Sequence, residues 1–289
     1  MPRKLQAGQR AELNILDVDS GERTLVLSSS EMLFEAPNWT SDGRSLIVNG
    51  DGGLWSIRPE GGALAPIPLG DLPAINNDHV VSPDGTTVYV SSEDGHAYAV
   101  PISGGGIRRV SNERKSFTYY LHGISPDGAT LSYIGMQRHS NGTVTTNVFT
   151  IPVGGGHDVQ LTDDTFPDDG SEFSPDGKWI YFNSERAAQA AGHAQLFRMP
   201  ATGGSIEQLT FDERVNWFPH ISPTGDRIAY VSFPTGTLGH PADVDVLLRI
   251  LEDGKTRDIA AVFGGQGTMN VPSWDPTGSK LAFVDYPVG

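Results

Sequence analysis

Six short segments share one turn chemistry, and their spacing constrains the fold more than anything else in the chain. They are Ser41-Asp42-Gly43, Ser82-Pro83-Asp84-Gly85, Ser125-Pro126-Asp127-Gly128, Ser174-Pro175-Asp176-Gly177, Ser222-Pro223-Thr224-Gly225 and Asp275-Pro276-Thr277-Gly278. Pro presets φ for a turn, Asp bonds the neighbouring backbone and Gly accepts positive φ, so each segment is a tight reversal. Successive turn glycines are 42, 43, 49, 48 and 53 residues apart, close to the period of a four-stranded propeller blade. A hydrophobic fraction of 37%, with 35 Gly and 20 Pro among 289 residues, suits many short strands joined by turns.

Each turn leads into an apolar run, at 45–48, 87–90, 130–134, 179–182, 227–231 and 280–284, which reads as the second strand of a blade. Five third strands follow, at 54–57, 97–100, 148–151, 196–199 and 246–250, and four short fourth strands at 108–110, 158–161, 206–209 and 256–259. The alanine-rich stretch at 185–195 lies between strands and reads as a loop. The sixth copy stops too soon: after Val284 only residues 285–289 remain, while residues 13–27 look like a third and a fourth strand without a first or second. The two ends together make one blade, which closes the ring and removes its open edge. The expectation is all-β: one six-bladed propeller domain over 1–289, with blades near 34–70, 77–112, 119–163, 168–211, 216–262, and 269–289 completed by 9–30.

Several classes of function drop out. Zero cysteines exclude disulfides, thiolate nucleophiles and cysteine-based metal sites. A formal net charge of -15 argues against a nucleic-acid partner. No apolar run is long enough to span a bilayer, so no membrane insertion is expected. The basic N-terminus has no apolar segment behind it, which reads as cytoplasmic, or as periplasmic if a leader has been removed. A monomer is expected. The glycine runs at 104–106 and 154–156 recur at one place in the repeat with no helix after them, so they are hairpin turns and not phosphate loops.

The Trp/Phe-Ser-Pro-Asp-Gly turn, the second strand ending at Asn183-Ser184-Glu185-Arg186, and Leu209-Thr210 at a blade's end resemble the TolB-type β-propeller repeat of bacterial proteins. The resemblance spans nearly the whole chain. The same repeat is similar to the propellers of tricorn protease, of prolyl oligopeptidase and dipeptidyl peptidase, and of oligogalacturonate lyase, so it specifies fold and not activity. TolB's N-terminal α/β domain has no counterpart here, and a serine hydrolase's Gly-x-Ser-x-Gly segment is absent.

What repeats serves the fold, so a site belongs where the copies differ. The resemblance implies that the loops before the first strands and those between second and third strands gather at one mouth of the channel. These segments hold the ligand-binding candidates Asp78, His79, Tyr120, His122, Arg138, Asp169, Glu172, Arg186, Trp217 and His220. Five of the eight histidines fall in these segments in blades three to five, and His79 adds a sixth. His79 and His122 stand three residues before their turn serines, and Glu172 and His220 two before theirs, so the two pairs face opposite ways on their strands. Trp39, Phe173 and Trp274 align with Val81, Ile124 and Ile221 as core positions. The expected function is a non-enzymatic scaffold, with no catalytic residues, that binds a protein segment or small polar ligand at the mouth. The alternative is a metal-dependent carbohydrate-active enzyme resembling oligogalacturonate lyase, with His79, His122 and His220 holding manganese, zinc or calcium.

Overall fold

The computed structural model describes residues 3–289. Six antiparallel sheets stand in a ring, and among the described residues no helix forms. Five sheets have four strands in sequence order, with innermost strands Phe34–Trp39, Ile75–Val81, Phe117–Ile124, Asp168–Phe173 and Val215–Ile221. The sixth closes the ring as expected: Ala11–Asp17 lies between Arg23–Ser29 and Lys280–Asp285, with Glu12 opposite Asp285 and Asp17 opposite Lys280. Its innermost position is taken by an irregular segment that touches the sheet through a Trp274–Leu281 bridge and the bonds from Ala282 N to Ser273 O and Val284 N to Thr268 O.

The turns explain their own repetition. Ser174 Oγ donates to Asp176 Oδ1 at 2.6 Å and accepts Trp179 N–H at 3.0 Å, while Asp176 Oδ1 also accepts Lys178 N–H at 3.1 Å. Ser82 with Asp84 and Ser125 with Asp127 repeat this cage. In the first blade the hydroxyl belongs to Thr40, not to Ser41, because Thr40 Oγ1 bonds Asp42 and Ser45 N. In the fifth, Asp226 replaces the missing aspartate. The six turns also touch in a circle. A Cβ added at Gly177 (φ 69°) would lie 3.3 Å from Pro126 Cγ of the preceding blade, and Gly128, Gly225, Gly278 and Gly43 face Pro83, Pro175, Pro223 and Pro276 likewise. Ser41 takes the proline's place against Gly85 and completes the circle.

Between blades the sheets pack through large apolar side chains. Blades five and six share Trp217, Phe218, Phe233, Leu248, Met269, Trp274 and Phe283, all buried. Each such burial contributes roughly 1.5–3 kcal/mol.

The innermost strands depart from a plain ladder at the point that matters for function. Four of them carry a bulge between the residues facing the mouth and those facing the turns: Glu35/Asn38, Ile75/His79, Asp169/Glu172 and Trp217/His220, with a smaller slip at Leu121/Gly123. Ala36, Gly170 and Phe218, each four residues before its turn residue, have φ of 52°, 65° and 58°. The N–H groups freed there are met by the neighbouring blade: Phe218 N by Asn183 Oδ1 at 3.0 Å and Leu121 N by Ser91 Oγ at 2.8 Å. The bulge lets one strand serve both ends of the channel.

Candidate functional site

The candidate residues expected in loops before the first strands lie inside those strands, because each strand starts further upstream than its apolar pattern suggests and continues through the bulge. Two concavities result, one at each end of the channel.

At the mouth opposite the turns is a pocket of about 250 Å³ lined by Asn76, Asn77, Asp78, Tyr120, His122, Ile134, Met136, Thr146, Asp169, Phe218, His240 and Gln266. Its centre is Asp169, with Oδ1 2.8 Å from His122 Nε2 and Oδ2 3.5 Å from His240 Nε2. The His122 approach is too oblique for a hydrogen bond, and both nitrogens of this buried ring lack a hydrogen-bond partner. His240 Nδ1 meets Gln266 Oε1, and its ring packs 4.4 Å from Trp217 and 5.1 Å from Phe218. Gln266 donates to Asn77 Oδ1 at 3.0 Å and accepts from Asn270 at 3.0 Å, so it couples the fifth-blade side of the pocket to the second blade.

The charges are strongly coupled. Burial opposes ionisation of Asp169, but His122 and His240 outweigh it and hold the carboxyl well below its usual range. Burial would lower His122 and His240, yet Asp169 and, at longer range, Asp78 raise both. Asp78 is raised, first by its own burial.

The other candidates have different jobs. His220 Nδ1 lies 2.7 Å from Glu172 Oε2 and its Nε2 3.0 Å from Met269 O, while Glu172 Oε1 accepts Ile221 N–H at 3.0 Å. This buried set ties the fourth, fifth and sixth blades together. Arg186 bonds Asp168 at 2.9 and 3.2 Å and Ser184 at 3.0 Å, so its charge is used inside its own blade. Trp217 is buried behind His240 with its indole N–H unpaired. Arg138 is exposed at the rim of the third blade. His79 is fully buried without a hydrogen-bond partner, and burial pushes its pKa down to about 4.

The histidines proposed as metal ligands do not converge: His220 is engaged with Glu172 and Met269, and His79 is enclosed apart from the pocket that His122 lines. Among the described residues no group of three or more His, Asp or Glu is arranged to hold an ion. The pocket thus gathers Asp78, Tyr120, His122 and Asp169 from the candidates. It adds Asn77, Phe218, His240 and Gln266, of which His240 is one of the five histidines counted in the segments of blades three to five and Gln266 had no signal in the sequence.

At the turn end, a second pocket of about 330 Å³ is bounded by Trp39, Phe173, Ile221 and Trp274, with Val81 and Ile124. The aligned positions expected in the core therefore form an apolar collar at the end of the channel: Trp39, Phe173, Ile221 and Trp274 are buried, while Val81 and Ile124 are half-buried.

Comparison with known proteins agrees with this architecture. A TolB beta propeller domain profile matches residues 138–246. An uncharacterized protein of Agrobacterium fabrum is 35% identical over 284 residues, 96% of this chain and 92% of the relative. A solved structure from Agrobacterium tumefaciens bearing the TolB name superposes with a TM-score of 0.87 at 34% identity, covering 96% of this chain and 99% of that one. The Tol-Pal system protein TolB of Francisella tularensis is 23% identical over 93% of this chain and 60% of its own length. An oligogalacturonate lyase in complex with manganese shares the fold, with a TM-score of 0.60 at 12% identity over 91% of this chain and 73% of that one.

Proposed function

The chain belongs to the TolB-type β-propeller family, and on that premise we propose that it is a binding scaffold whose recognition site is the mouth pocket around Asp169. The observation that carries this reading is His122, a buried side chain that borders the pocket with Nε2 2.8 Å from Asp169 and Nδ1 without a hydrogen-bond partner. A buried polar group without a partner costs roughly 1–3 kcal/mol, and a guest that bonds it recovers that cost. The rigid ring holds the group in place from several blades at once, which suits recognition. The relatives that carry the Tol-Pal system name support a protein segment as guest and the periplasmic compartment. Among the described residues no helix is long and apolar enough to cross a membrane.

The carbohydrate-enzyme alternative receives less support, because its three proposed histidines stand apart and the Arg186 guanidinium is bound to Asp168. Metal analysis of the purified protein, alone and as His122→Ala, tests it directly.

The binding reading is tested with Tyr120→Ala, which removes a half-buried ring that lines the pocket and packs on the apolar cluster around Ile134 and Phe173. Thermal-shift screening of small polar compounds, and capture of partners on immobilised protein, should give hits that the variant loses while its circular dichroism spectrum stays that of the folded ring. Hits that bind the variant as well as the wild type would place recognition elsewhere.

A further inference from the structure

The two carboxylates of the pocket are unequally compensated, and the difference specifies a guest. Two carboxylates line it, and neither lysine nor arginine does. Asp169 shares its charge with His122 and His240. Asp78 has neither histidine within ion-pair distance and meets them only at longer range: it is buried, and among the described residues its carboxylate accepts one hydrogen bond, from Asn76 Nδ2 at 2.7 Å. An isolated buried carboxylate is expensive unless a cation or a proton reaches it.

The other walls narrow the choice. Tyr120 and Phe218 place aromatic rings at the pocket, and aromatic faces attract cations. Ile134 and Met136 supply an apolar strip suited to an alkyl stem. An ammonium group has three N–H donors on a compact charge, and the pocket has matching acceptors in the carboxylates of Asp78 and Asp169. The volume, about 250 Å³, equals roughly eight waters, enough for a short alkyl chain and its charged end but small for most drug-sized ligands.

We propose that the mouth pocket receives an alkylammonium group, with the charge at Asp78 and the stem along Ile134 and Met136. Its source is either a free small amine or a lysine side chain presented by a protein segment. The inference rests on the reading of the mouth as the binding site and adds the chemistry of what enters it.

Isothermal titration calorimetry with n-butylammonium, n-butanol and butyrate on the wild-type protein tests the charge preference without any substitution. The amine should bind at least about tenfold more tightly than either analogue; equal binding of the alcohol or the acid overturns the proposal. Asp78→Asn, nearly the same shape, should lose about tenfold for the amine with its fold intact by circular dichroism, and unchanged affinity counts against it. A short peptide containing one lysine, compared with its norleucine twin, separates the sources. A lysine peptide that binds more tightly than butylammonium indicates a protein segment, and an amine that binds at least as tightly indicates a free ligand. If the three small probes fail while another compound binds in a Tyr120-dependent way, the ammonium assignment falls and the binding mouth stands. If no ligand depends on Tyr120, the mouth itself is the wrong site.

Discussion

Replacing His220 by alanine separates a structural histidine from a recognition histidine. In the folded chain its ring fills a buried gap between Glu172 and the carbonyl of Met269, at 2.7 and 3.0 Å, and its own carbonyl accepts the Trp274 indole N–H at 2.9 Å. Alanine removes both ring contacts, strands Glu172 Oε2 and Met269 O, and leaves a cavity at the junction of three blades. Breaking one side of a buried polar pair costs about 3–5 kcal/mol. For a chain of this size each kcal/mol is worth about 2–4 °C, so His220→Ala should melt roughly 6–20 °C below wild type. Glu172→Gln keeps an acceptor for Ile221 N–H and should cost less, about 1–2 kcal/mol. The double variant should fall short of the sum of the singles, because the same contact is lost in both. Thermal and urea denaturation followed by circular dichroism gives all three values. If His220→Ala melts within 2 °C of wild type and instead loses ligands at the mouth, the pair is not a structural tie and the assignment of roles is wrong.

Two further outcomes are expected. A Cβ at Gly135 would lie 2.7 Å from the Phe149 ring and against Phe117, so Gly135→Ala should destabilise by about 1–3 kcal/mol through overpacking; an unchanged urea midpoint would contradict the packing described for the third blade. The turn carboxyls of Asp42, Asp84, Asp127, Asp176 and Asp226 are held low, Asp176 to about 2, first by a Ser or Thr hydroxyl and then by further turn hydrogen bonds. A carboxyl lowered in the folded state adds stability above its unfolded value of about 3.9 and loses it as pH falls through the folded value. Melting temperature should therefore drop between about pH 4 and pH 2, and less steeply for Asp176→Asn than for wild type; parallel slopes would refute the linkage.

The period, the blade count and the shared closing blade were all legible in the chain, because each follows from turn chemistry and alternation that act locally. The direction of side chains on the innermost strands was not. Counting by twos from a turn serine fails at the bulge, where Ala36, Gly170 and Phe218 take left-handed backbone, and the bulge is stabilised by residues such as Asn183 that come from the previous blade. For the same reason His220, plausible from sequence as a mouth group, is committed to Glu172, while Arg186, beyond the second strand of its blade, is committed to Asp168. Thr40 was passed over because Ser41 matches the motif by residue type, while the hydroxyl that the turn needs stands one position earlier. Gln266 bridges three residues of the site without any pattern around it.

The shared sixth blade has a consequence for how the protein is made. Glu12 and Asp285, opposite each other in that sheet, are 273 positions apart (285 − 12). The first blade through the fifth can each pair their strands as they emerge, since every partner is a near neighbour in the chain. Ala11–Asp17 waits for a partner that is synthesised 273 positions later, at roughly 5–20 residues per second a delay of tens of seconds. During that interval it offers an unpaired edge to any passing strand. The ring's final seam is thus also its most exposed moment.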